Sequence, residues 1–392
     1  MALPGDLLIA AGPGEWRAAW LEDGVAVELH VERGDARPAG SIHLGRVVRL
    51  AAGLDAALVD IGDERPGFLP VRVGAPDLNE GARVLVQVRR EAQRGKGARL
   101  STRIVPRNGQ GDPARFAELA ACRDPPTQLD PAPGFAAALA LRLPGEPQRI
   151  IADDPAIVRE LHAAFPAADL VHCPRDDWPV DLDAVIEAAL APSLSLARGG
   201  SLHIEEGRAA VLIDVDTGTP EAASAERAAL AINLAAAAAI ARQLRLRQLA
   251  GGIIIDFAAL DGRRPRERVS QAMEAALAGD PAEPRILGWS RLGHLEIVRP
   301  RRLRPLSEAM LDPQSRRKNA ITLAFEALRL LAREARARPA ANWRLVVAPG
   351  VAAALRDPAA AALHALETRL GRRVAVDVAS DRDAPPFDIA PV

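Results

Sequence analysis

The sequence predicts an α/β protein of several domains that also contains a small all-β barrel. Three observations lead to this prediction. Residues 40–104 hold short alternating strands separated by glycine turns, residues 209–257 form a strand–helix–strand pattern, and residues 316–392 alternate between helical and strand patterns. A chain of 392 residues is long enough for two or three such domains.

The composition is that of an ordinary soluble globular protein. Hydrophobic residues make up 49%, charged residues 26%, and the net charge is −1, so the overall charge indicates no partner. The two cysteines, Cys122 and Cys173, are far apart, which argues against a disulfide framework and a cysteine-based zinc site. The N-terminus lacks the basic region of a signal peptide, and no window approaches 18 uninterrupted apolar residues. We therefore expect a cytoplasmic protein with no membrane partner.

The first 173 residues divide into four patterns. Residues 1–38 predict a small β unit with a turn at Asp23-Gly24, and residues 40–104 predict about five short strands, which fit a small closed barrel such as an OB-fold. Residues 105–148 are rich in Pro, Gly and Asp and predict a linker with one short helix around 113–122. Residues 149–173 predict a strand, a helix and a strand.

The most regular pattern lies between residues 201 and 257. SLHIEEGRAAVLIDVDTG predicts a hairpin that turns at Glu206-Gly207, and residues 222–249 predict a long helix that ends at Gly251-Gly252. The following GGIIIDF is apolar on both faces, as expected for a central parallel strand. The two strands around the helix should be parallel and adjacent, with a right-handed crossover. A helix about 265–279 and a strand near 292–298 follow.

Three aspartates stand at the ends of these two strands. Asp214 and Asp216 share one face, with Cα atoms roughly 6.5–7 Å apart, and Asp256 ends the second strand. Ligands of open α/β sheets bind beyond the carboxyl ends of the strands, and Mg²⁺ prefers carboxylate oxygens together with water and phosphate oxygens. We expect the three aspartates to form a catalytic Mg²⁺ site, with Mn²⁺ as an alternative ion. The competing interpretation is that each aspartate only caps a nearby turn.

The same short stretch allows a different chemistry. Aspartyl phosphatases of the haloacid-dehalogenase type use a DxDx[TV] loop in which the first Asp is the nucleophile. Here Thr217 comes one place early and Gly218 stands where the Thr should be, and 213 residues precede a loop that this type places at its first strand. A metal-dependent phosphatase is therefore kept as the second alternative.

Taken together, the motifs resemble the ribonuclease E/G family of endoribonucleases. The resemblance rests on GRVVRLAAGLDAALVDIGDERPGFLP and RGKGARLST in the barrel, on IDVDTG, and on INLAAAAAIARQLRLRQLAGGIIIDF, which is the most specific block. It covers roughly residues 8–104 and 149–310, and more weakly the tail. The barrel motif alone would indicate only an S1-type RNA-binding domain.

The resemblance implies an RNase H-like subdomain with an inserted S1/OB barrel, a DNase I-like α/β catalytic subdomain and a small C-terminal α/β domain. The implied boundaries are 1–39 and 135–200 for the RNase H-like subdomain, 40–104 for the S1/OB barrel, 105–134 for a linker that replaces the family's 5′ sensor, 201–310 for the catalytic subdomain and 311–392 for the C-terminal domain.

The implied activity is cleavage of single-stranded RNA by a Mg²⁺-activated water that attacks a phosphodiester. Carried over from the family, Asp214 and Asp256 are metal ligands. The family's Asn at the third position is Asp216 here, and an ionised carboxylate cannot donate a hydrogen bond. Asp216 therefore becomes a third metal ligand or lowers the activity. The first alternative is accordingly an RNA-binding protein on the same fold with weakened catalysis.

The resemblance also implies an RNA-binding surface. The family presents two Phe side chains for base stacking in the barrel; Phe68 keeps one and Leu58 replaces the other, while Lys96 in a Gly-Lys-Gly loop could hold a phosphate. Three basic runs fall in the C-terminal half, RRPRER (263–268), RPRRLR (299–304) and SRRK (315–318), and one interpretation of them is a solvated surface. Given the neighbouring acids, we expect phosphate contacts at four residues of these runs and just upstream of them: Arg285, Arg291, Arg301 and Arg302.

Three expected absences complete the prediction. Residues 105–148 are too short for the family's 5′-end pocket and lack its Arg-Thr pair, so we expect no sensing of a 5′-monophosphate. No cysteine follows Cys173, so no structural zinc is expected, and any homodimer would form without a zinc link. We interpret His43, His203 and His294 as ordinary polar residues rather than ligands.

Overall fold

The computed structural model describes residues 5–33, 40–63, 65–70, 78–92, 96–105, 113–130, 134–197, 199–218, 225–380 and 386–392. The chain divides into two compact units, one formed by Met1–Arg33 and Leu139–Val392 and the other by Gly34–Ala138. The second unit contains the predicted barrel, and the predicted linker of residues 105–134 belongs to it as well. The finer subdomain boundaries within the first unit stay predictions.

The smaller unit is a closed β-barrel. Its strands are β4 (Ile42–Ala51), β5 (Ala56–Asp60), β6 (Gly67–Pro70), β7 (Arg83–Arg90), β8 (Arg99–Ser101) and β9 (Thr127–Gln128), with helix α1 (Pro113–Ala121). They follow the order β5-β6-β8-β7-β4-β9, and pairing of β4 with β5 closes five of them into a barrel. Val59, Leu69 and Val86 are completely buried inside it. At Gly97 a Cβ would lie 1.9 Å from the carbonyl oxygen of Pro66, so only glycine fits there.

The linker prediction was partly wrong. The predicted helix is present as α1, but Thr127–Gln128 adds to the barrel sheet by pairing with β4, and the Asp130 carboxylate accepts the Ile42 N–H at 2.8 Å. Such pairing between distant segments of the chain cannot be predicted from a Pro- and Gly-rich sequence, because a two-residue strand has no periodicity. Residues 106–112 and 131–133 lie outside the described part of the chain.

The larger unit contains three sheets. The first has the order β11-β10-β1-β2-β3 and joins the N-terminus to residues 149–172. Its elements are β1 (Asp6–Gly12), β2 (Glu15–Glu22), β3 (Val25–Arg33), α2 (Phe135–Ala140), β10 (Arg149–Ala152), α3 (Val158–Ala164), β11 (Asp169–His172) and α4 (Leu182–Leu190).

The second sheet is mixed and has the order β12-β13-β14-β15-β17-β16. Its elements are β12 (Ser193–Ser195), β13 (Ser201–Glu206), β14 (Ala210–Asp216), α5 (Ala225–Leu246), β15 (Gly251–Asp256), α6 (Arg263–Leu277), β16 (Arg285–Trp289), β17 (Leu295–Arg299) and α7 (Leu306–Met310). Strands β14 and β15 are parallel and adjacent, as predicted. However, β17 pairs antiparallel with β15, so the apolar composition of β15 does not mark an all-parallel sheet. Residues 222–224 of the predicted helix lie outside the described residues.

Helix α5 is long and apolar enough that its composition alone would also suit a membrane span. Its side chains Ala236, Ile240 and Leu244 are instead completely buried in the core that covers one face of the second sheet. This core also contains Ile213 and Ile255 from the two central strands. Burial of these side chains leaves the other face of the sheet for polar residues.

The third sheet completes the larger unit with the order β19-β18-β20. Its elements are α8 (Ala320–Ala337), β18 (Trp343–Val347), α9 (Pro349–Arg356), α10 (Ala360–Leu370), β19 (Ala375–Val378) and β20 (Phe387–Pro391). Helix α8 is held to the first sheet by buried ion pairs, since Arg329 reaches the Glu15 carboxylate at 2.7 Å. Burial would raise the pKa of Glu15, but the charges of the surrounding arginines, Arg17 first among them, lower it to about 2.

Candidate active site

The strand ends of β14 and β15 bring two of the predicted aspartates together. Residues alternate along β14 so that Ile213 and Val215 are buried, while Asp214 and Asp216 are exposed on the opposite face. Asp214 and Asp256 are direct partners in the parallel pairing, so their Cα atoms lie about 4.8 Å apart across the strands. The two carboxylates therefore stand side by side on the open face of the sheet.

Asp216 lies two residues further along the same face. Its Oδ1 accepts the backbone N–H of Gly218 at 2.9 Å, which forms a tight turn at the end of β14. Gly200 has a positive φ of 78° and packs so closely that a Cβ there would lie 2.2 Å from the Asp216 carbonyl oxygen. One oxygen of the Asp216 carboxylate is thus already engaged by backbone, and the other faces outward.

Two histidines that the sequence analysis treated as ordinary polar residues flank the acids. His294 Nε2 lies 3.8 Å from Asp256 Oδ2, and His203 is the direct cross-strand partner of Asp214. The Ser193 hydroxyl lies 2.8 Å from His203 Nδ1. Neither histidine carries a local sequence signal, because only the pairing of β13 with β14 and of β17 with β15 places them there.

The donor set fits a Mg²⁺ ion held in an open manner. Two adjacent carboxylates with exposed oxygens can supply the one or two protein ligands that Mg²⁺ usually takes, with water and substrate phosphate completing its octahedron. Within the described residues, no group of three or more His, Cys, Asp or Glu side chains forms a cluster that could hold a metal. The geometry therefore suits a pair of ligands, Asp214 and Asp256, better than a closed three-carboxylate site.

A buried asparagine holds the chain just beyond Asp256. Asn233, on α5, is completely buried; its Nδ2 donates to the Ala258 carbonyl at 2.8 Å, and its Oδ1 accepts the Ala258 N–H at 3.0 Å. The side chain thus satisfies both backbone groups of a residue two positions after the catalytic strand end. The motif INLAAAAAIARQLRLRQLAGGIIIDF contains this asparagine but indicates no role for it, because its partner is backbone.

The barrel presents the two predicted stacking positions as neighbours. Leu58 and Phe68 are direct cross-strand partners on β5 and β6, and both are half-buried. The same row of the sheet continues through exposed arginines on both sides, with Arg49 opposite Leu58, Arg99 opposite Phe68 and Arg90 opposite Arg99. None of these three guanidinium groups forms a hydrogen bond or ion pair with the described residues.

This barrel row was only half visible in the sequence. Nothing in the local sequence distinguishes these three arginines from other exposed strand residues, and only the register reveals that they share a row with Phe68. Lys96 is exposed beside β8, while residues 93–95 of its loop lie outside the described part. The row combines an aromatic face with three cations, which is the chemistry that single-stranded nucleic acids require.

The four arginines predicted near the acids are not all there. Arg291 is exposed in the hairpin turn between β16 and β17, three residues before His294. Arg285 lies at the start of β16, opposite Val298, at the level of Gly252 and hence four residues along the strand from Asp256. The remaining two, Arg301 and Arg302, follow β17, which runs away from Asp256 to the opposite end of the strands.

One member of the basic run RPRRLR is not on the surface. Arg299 is 2% exposed, and its guanidinium forms two hydrogen bonds with the Asp280 carboxylate at 2.7 and 3.0 Å. It also donates to the Leu249 carbonyl at 2.7 Å. The interpretation of this run as a uniform phosphate-binding surface is therefore wrong at Arg299, because the alternation of β17 turns this residue into the core.

Fold and site together define a multidomain α/β protein that carries a small β-barrel and a pair of acids at the edge of a mixed sheet. A model of the ribonuclease E/G family matches residues 175–302, which include all three aspartates. In this segment the chain is thus similar to proteins of the ribonuclease E/G family. The recognition made from motifs alone is thereby confirmed.

Relatives align over nearly the whole chain. Ribonuclease G of Escherichia coli strain K12 is 25% identical over 487 aligned positions that cover 98% of this chain and 99% of the relative. Ribonuclease G of Haemophilus influenzae is 27% identical with the same coverage, and ribonuclease E of Synechocystis is 28% identical over 73% of this chain and 55% of its own length. Because this chain has 392 residues, at least 95 positions of the 487 are gaps in it.

Proposed function

We propose that the protein is an endoribonuclease that cleaves single-stranded RNA with the help of Mg²⁺. The direct pairing of Asp214 with Asp256 on adjacent parallel strands carries this proposal. Full-length similarity to proteins named ribonuclease G supports it, and so does the barrel row of Phe68 and three arginines. A phosphatase would have no use for such a row, and the similarity to this family argues against that alternative.

The chain's own residues divide the work of the reaction. Asp214 and Asp256 would hold Mg²⁺, which when bound activates water and neutralises phosphate charge. The hydrogen-bonded pairing of β14 and β15 fixes the spacing of the two carboxylates, and Asn233 fixes the backbone that follows Asp256. Asp216 keeps one oxygen that can accept a hydrogen bond from a water, while His294 Nε2 lies 3.8 Å from Asp256 Oδ2, near the carboxylate but beyond hydrogen-bond distance.

We also propose that cleavage does not depend on a 5′-monophosphate and that no zinc link joins subunits. The brevity of residues 105–134 supports the first point, and the at least 95 gap positions in the alignment with ribonuclease G agree with a shortened chain. The absence of any cysteine after Cys173 supports the second. A cytoplasmic location and the identity of the metal stay predictions from the sequence.

The first test is cleavage of a 5′-labelled, A/U-rich single-stranded RNA in Mg²⁺ or in EDTA. Asp214→Asn and Asp256→Asn should each lower the rate by about 100-fold or more, because loss of a ligand removes several kcal/mol of transition-state stabilisation. Asp169→Asn serves as the control, since Asp169 is an exposed strand aspartate of a different sheet. Asp216→Asn, which provides a donor, should cleave faster than the wild type. Equal rates on RNAs with 5′-monophosphate and 5′-hydroxyl ends are expected.

The outcomes separate the proposal from its first alternative. Cleavage that survives in EDTA or in both ligand variants would contradict the metal site. RNA binding without any cleavage, in the wild type and in Asp216→Asn, would instead show an RNA-binding protein on this fold.

The barrel row is tested by the salt dependence of RNA affinity. Arg99→Ala should reduce the magnitude of the slope of log K against log salt by about 0.7, the value for one phosphate contact of a single strand. Phe68→Ala should weaken binding by about 5- to 150-fold, corresponding to about 1–3 kcal/mol for one stacked base, with little change of slope. Arg103→Ala, at an exposed residue outside the row, should change neither quantity. An unchanged slope in Arg99→Ala would contradict a phosphate contact there.

A further inference from the structure

A groove runs along α6 beside the candidate active site. Its volume is about 800 Å³, and it is lined by the first three turns of the helix and by Trp289 at the end of β16. The helix contributes polar and charged side chains, among them Arg266, Ser270, Gln271 and Glu274. A groove of this size and polarity can accept a nucleotide-sized ligand but is not a site for a purely apolar one.

Trp289 is a fixed aromatic surface in this groove. Its ring nitrogen donates to the Ser270 hydroxyl at 2.9 Å, and its ring lies 5.9 Å from the ring of Phe257 at an interplanar angle of 47°. The side chain is half-buried, so part of the ring faces the groove. An aromatic ring that is held from behind and open in front loses little conformational entropy when a base stacks on it.

Arg266 supplies a cation next to this ring. Its guanidinium carbon lies 5.5 Å from the centre of the Trp289 ring, and its Nη2 lies beside Gly293, 3.7 Å from the position of a Cβ there. No carboxylate of the described residues pairs with it, whereas the neighbouring Arg263 is paired with Glu267 at 2.6 Å. The first turn of α6 contains no acidic residue, so a bound phosphate would offset the unfavourable placement of arginines at a helix N-terminus.

The groove and the acids share one edge of the sheet. Phe257, which contacts Trp289, directly follows Asp256, and Gly293, which contacts Arg266, directly precedes His294. His294 in turn lies 3.8 Å from Asp256. The side chains of Phe257 and Trp289 belong to the covered face of the sheet and that of Asp256 to the open face, so an RNA strand bound at Asp256 reaches the groove by passing around this end of the sheet.

We propose that Trp289, Arg266 and Gln271 form a binding subsite for one nucleotide of the RNA strand, at the same end of the sheet as the acids. The inference rests on the proposed cleavage of single-stranded RNA. The base stacks on Trp289, the guanidinium of Arg266 binds the phosphate that follows or precedes this base, and the Gln271 amide hydrogen-bonds the edge of the base. Glu267 and Glu274 also line the groove, where they can accept hydrogen bonds from base amino groups. Their negative charge repels the phosphates of the RNA, which confines the bound phosphate to the Arg266 end of the groove.

The test measures RNA affinity by fluorescence anisotropy in EDTA, so that it does not depend on cleavage. Trp289→Leu should weaken binding of a single-stranded RNA by about 5- to 150-fold, the effect of one stacked base, and Trp289→Phe by less than about threefold. Arg266→Ala should lower the salt slope by about 0.7, while Arg266→Lys keeps it. Circular dichroism and thermal melting confirm that each variant is folded, and Trp289→Phe keeps the aromatic packing against Phe257.

The chain provides a matched control. Trp178 is also half-buried, also donates from its ring nitrogen to a fixed acceptor, and also has an arginine, Arg175, over its ring at 5.4 Å. Trp178 lies beside the first sheet, and its ring packs in a different core. Trp178→Leu should leave RNA affinity unchanged.

RNAs with a single abasic nucleotide then locate the stacked base. At one position near the cleaved bond, the abasic RNA should bind Trp289→Leu and wild type equally well, because the base and the ring act as one unit. The subsite is overturned if Trp289→Leu binds intact RNA as tightly as the wild type does. It is also overturned if Trp289→Leu binds every abasic RNA more weakly than the wild type by the same factor. Binding by the wild type without cleavage in Mg²⁺ overturns the proposed function but leaves the subsite standing, and no binding at all overturns both.

Discussion

Replacement of Asn233 tests how the position of Asp256 is maintained. The side chain makes two hydrogen bonds with the backbone of Ala258, at 2.8 and 3.0 Å, and is itself completely buried. In Asn233→Leu a side chain of similar size removes both bonds and leaves one N–H and one C=O without a partner. A buried polar group left unsatisfied costs about 1–3 kcal/mol. Because Ala258 is half-buried and water can reach it in part, we expect about 2–3 kcal/mol in total.

The assay is hydrogen exchange of the Ala258 amide, read in peptides that cover residues 253–262. A local loss of about 2–3 kcal/mol should speed its exchange by about 30- to 150-fold relative to the wild type. In RNA cleavage, kcat should fall while KM stays constant, because displacement of the Asp256 carboxylate reduces the stabilisation of the transition state but leaves the binding of distant nucleotides unchanged. Asn342→Leu is the control, since Asn342 is exposed and its side chain, within the described residues, bonds only Arg372.

Asn233→Asp refines the same test through pH. A buried carboxyl has a raised pKa, and its neutral form can both accept the Ala258 N–H and donate to the Ala258 carbonyl, whereas its ionised form cannot donate. The Ala258 amide should therefore be less protected from hydrogen exchange in this variant than in the wild type at about pH 8, and this difference should shrink as the pH falls to about 5. Unchanged exchange of Ala258 in Asn233→Leu, or a difference that widens at low pH in Asn233→Asp, would refute the reasoning.

Two further predictions concern stability. Asp280→Asn should lower the free energy of unfolding, measured in urea, by about 3–5 kcal/mol, because it leaves the buried guanidinium of Arg299 without its charge partner. The control Glu267→Gln breaks an exposed ion pair and should lower it by less than about 1 kcal/mol. Equal losses in the two variants would contradict the argument from burial. Burial first, and then the charge of Arg142, lowers the pKa of His30 from 6.5 to about 3. The unfolded chain therefore binds more protons below about pH 6.5, so stability falls as pH decreases, by about 2 kcal/mol between pH 8 and pH 5. A His30→Leu variant should lack this component, and an identical pH dependence of both proteins would exclude it.

Local patterns were sufficient for much of the architecture. Alternation in VLIDVD put Asp214 and Asp216 on one face, and the length of the helix between two apolar strands required β14 and β15 to be parallel neighbours. These inferences held because period-2 and period-3.6 patterns and the handedness of crossovers are properties of the backbone. The family resemblance added the expectation that Asp256 joins them, and the register of the strands agrees with it.

The sequence by itself thus determined the elements, the family and the edge of the sheet at which acids collect. Only the tertiary structure decided which charged residues share that edge. The antiparallel return of β17 brings His294 to Asp256, carries Arg301 and Arg302 away, and turns Arg299 into the core. Register across the barrel likewise places Arg99 beside Phe68, and the packing of α6 on β16 brings Arg266 to Trp289. These neighbours are distant in sequence, and pairing register and helix packing leave no periodic trace in the chain from which they could have been read.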